Sequence, residues 1–168
     1  MNAQAIVYTS ATGFTARYAG LLAEASGLPL YPLEQAEKTL PPETQVLYLG
    51  WLCAGTVQGL AKAARHFTVR AVCAVGMSPP DPAYTAKLRR PEKLWETPLF
   101  YLRGGYAPER LRGIYKPMMA FMTKTVTRAP AQSPEERAMQ EAFLSGGDWV
   151  SPEALAPVLN WLEAGSHS

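Results

Sequence analysis

The chain contains few residues that bind metals, few candidates for disulfides and no long apolar run. Its 168 residues include only two histidines, two cysteines (Cys53 and Cys73) and no Cys-x-x-Cys pair. Such scattered residues indicate neither a metal site nor a disulfide framework, so we expect no bound metal. No apolar stretch reaches the length of a membrane span, and no basic-plus-apolar leader opens the chain. We therefore expect a cytoplasmic protein.

The chain has little net charge, but the charges are unevenly distributed. Charged residues make up 18% of the chain and the net charge is +2. Residues 103–128 contain six basic residues and one acidic residue, whereas residues 129–168 contain six acidic residues and one basic residue. The two segments either pair in the fold or leave a basic face exposed for a partner or an anionic surface. Nucleic-acid binding is not expected, because the basic residues lack interleaved exposed aromatics.

Apolar runs and helical patterns alternate along the chain, which is long enough for one domain spanning residues 1–168. The predicted strands are 5–9, 28–32, 45–50, 69–76 and 99–102, and Pro29 and Pro32 make the second an edge strand. The predicted helices between them are 14–26, 57–67 with Thr56 as its cap, and 83–90, whereas 38–43 is a polar connector. Extra C-terminal helices are predicted at 108–124, from Ser133 and from Ser151. This alternation is typical of an α/β, doubly wound parallel sheet with helices on both faces.

The first strand ends in a loop rich in hydroxyl groups, Ser10-Ala11-Thr12-Gly13-Phe14-Thr15, and a helix follows at once. Amides at a helix N-terminus favour a phosphate, and three hydroxyl groups add donors. No Lys or Arg lies between residues 1 and 16, so this is predicted to be a neutral phosphate cradle. The alternative is an ordinary capped helix, which explains one hydroxyl better than three.

This loop matches the (S/T)-x-(T/S)-G-x-T pattern of the flavodoxin family and stands where that family has it, after the first strand. The resemblance implies a flavodoxin-like five-stranded sheet in the order 2-1-3-4-5 and a loop that binds the FMN phosphate. In such a fold the loops after the first, third and fourth strands meet at one edge. The stretch Gly50-Trp51-Leu52-Cys53-Ala54-Gly55 also resembles the second flavin loop of short flavodoxin-domain proteins.

The second and third loops supply the remaining predicted FMN contacts. Trp51 either stacks on the flavin ring or is a partly buried core residue, and Cys53 is interpreted as a small apolar residue. In the third loop, Gly76, Met77 and Ser78 are predicted to contact the cofactor, with the amides of Met77 and Ser78 at the pyrimidine edge of the ring. Tyr84 either stacks on the ring or packs within its own helix.

These features predict an FMN-binding redox protein that transfers electrons to a redox partner protein or a quinone-like small molecule. No Ser–His–Asp or paired-carboxylate pattern is present, so no catalytic residue is predicted. The run from Phe100 to Tyr106, with Leu111, Tyr115 and Met118-Met119, resembles a branch related to the flavodoxin-type protoporphyrinogen oxidases. The alternatives are an FMN-dependent oxidoreductase acting on a quinone or protoporphyrinogen-type substrate, and a cofactor-less flavodoxin-like binding module.

The basic helix predicted at 108–124 carries an apolar stripe with three methionines. One alternative is that this helix contacts a membrane surface peripherally, or an acidic partner. The other is that its apolar stripe packs on the sheet. In that case its charges are either solvated or paired with the acidic helix at 135–141.

Overall fold

A computed structural model describes residues 1–89, 94 and 96–165. Its main sheet has six strands: β1 (Ala5–Thr9), β2 (Leu30–Pro32), β3 (Gln45–Cys53), β4 (Thr56–Val57), β5 (Thr68–Gly76) and β6 (Leu99–Arg103). The parallel strands lie in the order β2-β1-β3-β5-β6, and β4 pairs with β3 in the antiparallel sense. The predicted α/β class with a mostly parallel sheet is confirmed, and β2 lies at the edge of the sheet.

The sheet differs from the prediction in its number of strands and in their order. Five strands in the order 2-1-3-4-5 were expected, whereas the structure has six strands in the order 2-1-3-5-6 with one strand off this path. The two-residue strand β4 accounts for both differences. It exists because β3 continues through Trp51 to Cys53, where a loop was predicted, and then turns back at Ala54 and Gly55. Both turn residues have positive φ, 52° and 76°, which suits a two-residue hairpin.

Helices cover both faces of the sheet. Two of them, α1 (Phe14–Ser26) and α7 (Ala156–Ala164), share a core with one set of strand side chains. Three others, α2 (Leu33–Thr39), α3 (Leu60–His66) and α4 (Pro82–Arg89), pack on the opposite face. Neighbouring strand residues alternate between these cores, as Ile6 and Val7 do, because successive side chains point to opposite faces. The apolar runs of β1, β3 and β5 follow from this burial on both sides.

One helix in this part was not predicted, and two predicted helix boundaries need correction or lie outside the described residues. The helix that was not predicted is α2, which ends at Thr39 within the segment that was predicted as a polar connector from residue 38. Helix α3 begins at Leu60, with Gly59 as its N-cap residue. It was predicted to begin at Val57 with Thr56 as its cap, but both of these residues belong to β4. Helix α4 ends at Arg89, and the predicted end at Arg90 lies outside the described residues.

The C-terminal third carries the extra helices but starts differently from the prediction. The expected helix at 108–124 is a 3₁₀ turn (Pro108–Arg110) followed by α5 (Tyr115–Val126), with Gly113 at a φ of 62° between them. Helix α6 (Pro134–Ser145) is capped by Ser133, whose hydroxyl accepts the Glu136 N–H. Two short strands that the patterns did not predict, β7 (Gly105–Tyr106) and β8 (Gly147–Asp148), pair with each other. A 3₁₀ helix at Pro152–Leu155 leads into α7.

Of the helices in the described ranges, none is long and apolar enough to cross a membrane.

Candidate functional site

The topology creates a crevice at the carboxyl ends of β1 and β3. The chain leaves β1 through α1 toward β2 on one side, and it leaves β3 through α3 toward β5 on the other. Where connections diverge in this way, the loops separate and leave room for a ligand. A cleft with a cavity volume of about 190 Å³ lies there. It is lined by the loop after β1, the β3–β4 hairpin, the loop after β5 and part of the C-terminal third.

The structure brings most of the predicted site residues to this one cleft. Of the sixteen, all except Gly13 and Gly50 line it. These fourteen are Ser10, Ala11, Thr12, Phe14, Thr15, Trp51, Leu52, Cys53, Ala54, Gly55, Gly76, Met77, Ser78 and Tyr84.

The two exceptions are glycines with structural roles beside the cleft. Gly13 is the N-cap residue of α1 and has a φ of 104°, which L side chains rarely adopt. At Gly50 a Cβ would lie 2.6 Å from both the Gln58 carbonyl oxygen and Val57 Cγ1. The returning hairpin chain therefore requires glycine at this position.

The polar end of the cleft is formed by the first loop. The Gly13 N–H donates to Ser10 Oγ at 3.1 Å, and among the described residues no side chain caps α1 through a hydrogen bond at its N-cap. Capping therefore does not account for the hydroxyls of Thr12 and Thr15. The first amides of a helix also lack intrahelical acceptors, so they remain able to bind an anion.

Thr15 adds a further hydroxyl at this end of the cleft. The residue is 2% exposed and lines the cleft. A ligand in the cleft can exchange a hydrogen bond with this hydroxyl.

The opposite end of the cleft is apolar and rich in sulfur and aromatic rings. The side chains that share this character are Trp51, Met77, Tyr106, Met119, Met122, Met139 and Phe143. Trp51 is half-buried and meets Tyr115 edge-on, with ring centroids 4.9 Å apart. Tyr84 packs edge-on against Tyr101 at 5.8 Å and also lines the cleft. Tyr84 therefore packs against a side chain of β6, whereas the predicted alternative to stacking on the ring was packing within its own helix.

Burial keeps proton-bearing groups near the cleft in their neutral form. It raises the pKa of the Cys53 thiol, so this thiol stays protonated at neutral pH. Burial also raises the pKa of Tyr84 and of Tyr101, whose hydroxyl donates to the Ser78 carbonyl oxygen at 2.6 Å. Cys53 thus has the character of a small apolar wall residue and not that of a nucleophile.

The first loop is not the neutral cradle that residues 1–16 predicted, because a cation reaches it from the C-terminal third. Arg110 Nη1 donates to the Thr12 carbonyl oxygen at 3.1 Å. Close by, Arg17 Nη1 donates to Asp148 Oδ2 at 2.7 Å. That hydrogen bond, followed by one from the Val150 N–H, holds the pKa of Asp148 below its usual range, and Arg110 contributes to the same effect. The positive cluster in 103–128 was visible in the sequence, but nothing in the pattern connected Arg110 to Thr12.

The C-terminal third also supplies a cover for the apolar end, which sequence patterns did not predict. The stripe of α5 packs with α6, with β7 and with Met77 after β5, and its Tyr115 also meets Trp51 at the end of β3. The members of this cluster are Met77, Tyr106, Leu111, Tyr115, Met119, Val126, Met139 and Phe143. The regular apolar stripe with its methionines was the available signal, whereas the contact with α6 was not predicted.

In the part of the chain that the structure describes, no direct ion pair joins the basic segment to the acidic one. Within the described ranges, the ion pairs are Arg17–Asp148, Lys62–Glu37 and His66–Glu37. None of them joins residues 103–128 to residues 129–165. Apolar side chains are also left in solvent here: Ile114, the N-cap residue of α5, is 75% exposed, and Phe121 within α5 is 70% exposed.

Comparisons of the chain with models of protein families, with curated proteins and with solved structures found no match.

Proposed function

We propose that this protein has a flavodoxin-like fold, binds FMN non-covalently in the cleft and transfers electrons. The observation that carries the proposal is a cleft with two different ends at the crevice between β1 and β3. One end offers helix amides and the hydroxyls of Ser10, Thr12 and Thr15. The other end offers aromatic and thioether side chains. FMN has matching parts, a phosphate joined by a polar chain to a flat, largely apolar ring.

The polar and apolar residues of the cleft match the polar and apolar parts of FMN. The hydroxyls of Ser10, Thr12 and Thr15 and the first amides of α1 would bind the phosphate. Trp51 and the hairpin at Ala54 and Gly55 would flank the ring, with Met77 and Ser78 at its edge. When bound, the flavin would supply the redox chemistry, while the protein positions it and limits access of water.

The size of the cleft adds a condition to this fit. Its volume of about 190 Å³ is below the roughly 300–1,000 Å³ typical of small-molecule sites. The movable part of the wall is α5, because none of its residues is buried. Binding of FMN is therefore expected to displace α5 outward while the three loops on the sheet stay in place.

The direct test is a titration of the purified protein with FMN. We expect quenched flavin fluorescence and a shifted visible spectrum for the wild type. The variant Thr12→Asp places a carboxylate against the phosphate and is expected to lose FMN binding with an unchanged circular dichroism spectrum. Thr39→Asp is the matched control, since Thr39 is exposed at the end of α2, at the opposite edge of the sheet.

Two results would overturn the proposal. Absence of any spectral change with the wild type would leave a flavodoxin-like binding module without a cofactor. Equal FMN affinity of Thr12→Asp and the wild type would show that the first loop does not bind the phosphate.

A second candidate function is an FMN-dependent oxidoreductase, and the apolar cover favours it. Met119, Met122 and Phe143 line the cleft at the apolar end, where a flat apolar substrate such as a quinone would lie. A quinone takes up two electrons and two protons to become a quinol, with the electrons coming from the reduced cofactor. Rapid reoxidation of the reduced protein by a soluble quinone analogue would support this function. Reoxidation by redox proteins alone would support the electron carrier.

A further inference from the structure

We propose that Arg110 binds the phosphate of the flavin and makes the site selective for a phosphorylated flavin over riboflavin. This inference rests on the proposed function and concerns the same cleft. It assigns a role to a residue that lies 98 positions from the loop it contacts. The ligand class is a phosphate monoester, whose charge the uncharged side chains of the loop do not offset.

The position of the guanidinium group supports this role. Arg110 Nη1 donates to the Thr12 carbonyl oxygen at 3.1 Å and lies 3.7 Å from the place of a Cβ on Gly13. The group therefore lies directly beside the loop that ends at the first amides of α1. One of its five donors is used on Thr12, and the others remain available for phosphate oxygens.

The backbone around Arg110 holds the residue at this place. Arg110 ends the 3₁₀ turn that begins at Pro108, and its N–H donates to the Ala107 carbonyl oxygen at 3.0 Å. Ala107 and Leu111, on either side of that turn, are buried. The side chain thus extends from an anchored segment, which lowers the entropy lost when it binds a ligand.

The neighbouring charges leave Arg110 able to attract an anion. Asp148 is the acidic group nearby, and its carboxylate is already paired with Arg17 at 2.7 Å. Arg17, Arg110 and Asp148 together carry a net charge of +1, from two positive groups and one negative group. Arg110 takes part in no ion pair within the described ranges. A phosphate at the first loop therefore meets a net positive field. Arg17 and Arg110 provide this charge, since residues 1–16 contain no Lys or Arg.

The test compares FMN with riboflavin, which lacks the phosphate, in fluorescence titrations of four proteins. For wild type we expect tighter binding of FMN. Arg110→Gln should weaken FMN binding by about 10- to 100-fold, the usual range for losing a hydrogen bond to a charged group, with riboflavin affinity unchanged within twofold. Arg110→Lys should recover part of the loss. Arg112→Gln removes the same charge from an exposed neighbour and should leave both affinities unchanged.

Each result has a separate meaning. An FMN affinity of Arg110→Gln within threefold of wild type would overturn the role of Arg110 while leaving the flavin site intact. An equal loss of FMN and riboflavin affinity would show that Arg110 only holds the tail against the loop, which also overturns the proposal. Failure of the wild type to bind either flavin would overturn the proposed function, and this inference with it.

Discussion

At the scale of single residues, the hairpin beside the cleft contains backbone strain. Ala54 has a φ of 52°, and among the described residues the only other non-glycine with positive φ is Glu43, at 65°. A left-handed conformation costs an L residue roughly 1–2 kcal/mol. Such strain often occurs at functional sites, where the surrounding structure holds the residue in place. Ala54 is in the hairpin that lines the cleft, whereas Glu43 is outside it.

The first prediction concerns this strain. Replacing Ala54 by glycine should raise the free energy of unfolding by about 0.5–1 kcal/mol, since relief of strain outweighs the added freedom of the unfolded chain. Glu43→Gly is the matched control away from the cleft and should give a similar gain. Urea unfolding measures both. Loss of stability in Ala54→Gly with a gain in Glu43→Gly would show that the turn does not have this conformation.

The second prediction concerns the pH dependence of the Arg17–Asp148 pair. The pKa of Asp148 is lower in the folded protein than its ordinary value of 3.8. The pair therefore contributes stability above that ordinary value, and the contribution disappears as pH falls through the lower, folded pKa. Because the two side chains are 52% and 53% exposed, the contribution is only about 0.2–1 kcal/mol. Unfolding of wild type and Asp148→Asn should differ by this amount at about pH 6 and converge near pH 2–3. A difference that grows in acid would contradict the assignment.

At the scale of elements, the pattern of the sequence predicted those parts that depend on local chain properties. The buried runs of β1, β3 and β5 are apolar because helices cover both faces of the sheet, and this leaves a signal in the sequence. The short strands β4, β7 and β8 have two residues each. They depend on pairing with another segment, so their own sequence does not specify them. The break before α5 depends on the left-handed conformation of Gly113. A glycine adopts this conformation easily, and the neighbouring sequence contains no signal that it does so here.

The candidate site divides in the same way. The loop Ser10–Thr15 and the turn at Ala54 and Gly55 come at the carboxyl ends of strands, so their place at one edge of the sheet could be predicted once the alternation was recognised. That the second one is a hairpin could not. Met119 lines the cleft, and Arg110 contacts the first loop beside it, through tertiary packing of the tail. A single sequence contains no periodic signal for contacts of that kind.

The third prediction concerns α5 as a cover of the cleft. None of its residues is buried, whereas α1 has five buried residues. Regions with few buried contacts open locally at lower free energy. In hydrogen exchange followed by mass spectrometry, α5 amides should exchange faster than α1 amides by about tenfold or more. Added FMN should slow exchange in α5, because the ring replaces solvent beside Met119 and Met122. In Thr12→Asp, added FMN should not slow exchange in α5. Slow exchange throughout α5 without ligand would show that α5 is not a movable cover of the cleft.

At the scale of the whole molecule, the two cores and the cleft share one sheet. Strand residues from β1, β3, β5 and β6 contribute to the cores on both faces, so loss of the sheet disrupts both at once. The cleft loops begin at the carboxyl ends of the same strands. A ligand that joins the first loop, the hairpin and the third loop therefore binds the folded protein and not the unfolded chain. Ligand binding and global stability are linked for this reason.

The fourth prediction follows from that linkage. At an FMN concentration of 100 times its dissociation constant, the folded state should gain about 2.7 kcal/mol. For a domain of this size each kcal/mol corresponds to roughly 2–4 °C, so the melting temperature should rise by about 5–11 °C. Riboflavin at the same free concentration should give a smaller rise, because it lacks the phosphate that the first loop would bind. Thr12→Asp should show no rise with FMN, whereas Thr39→Asp should match the wild type. A rise of equal size in Thr12→Asp would mean that FMN stabilises the protein from a place other than the cleft between β1 and β3.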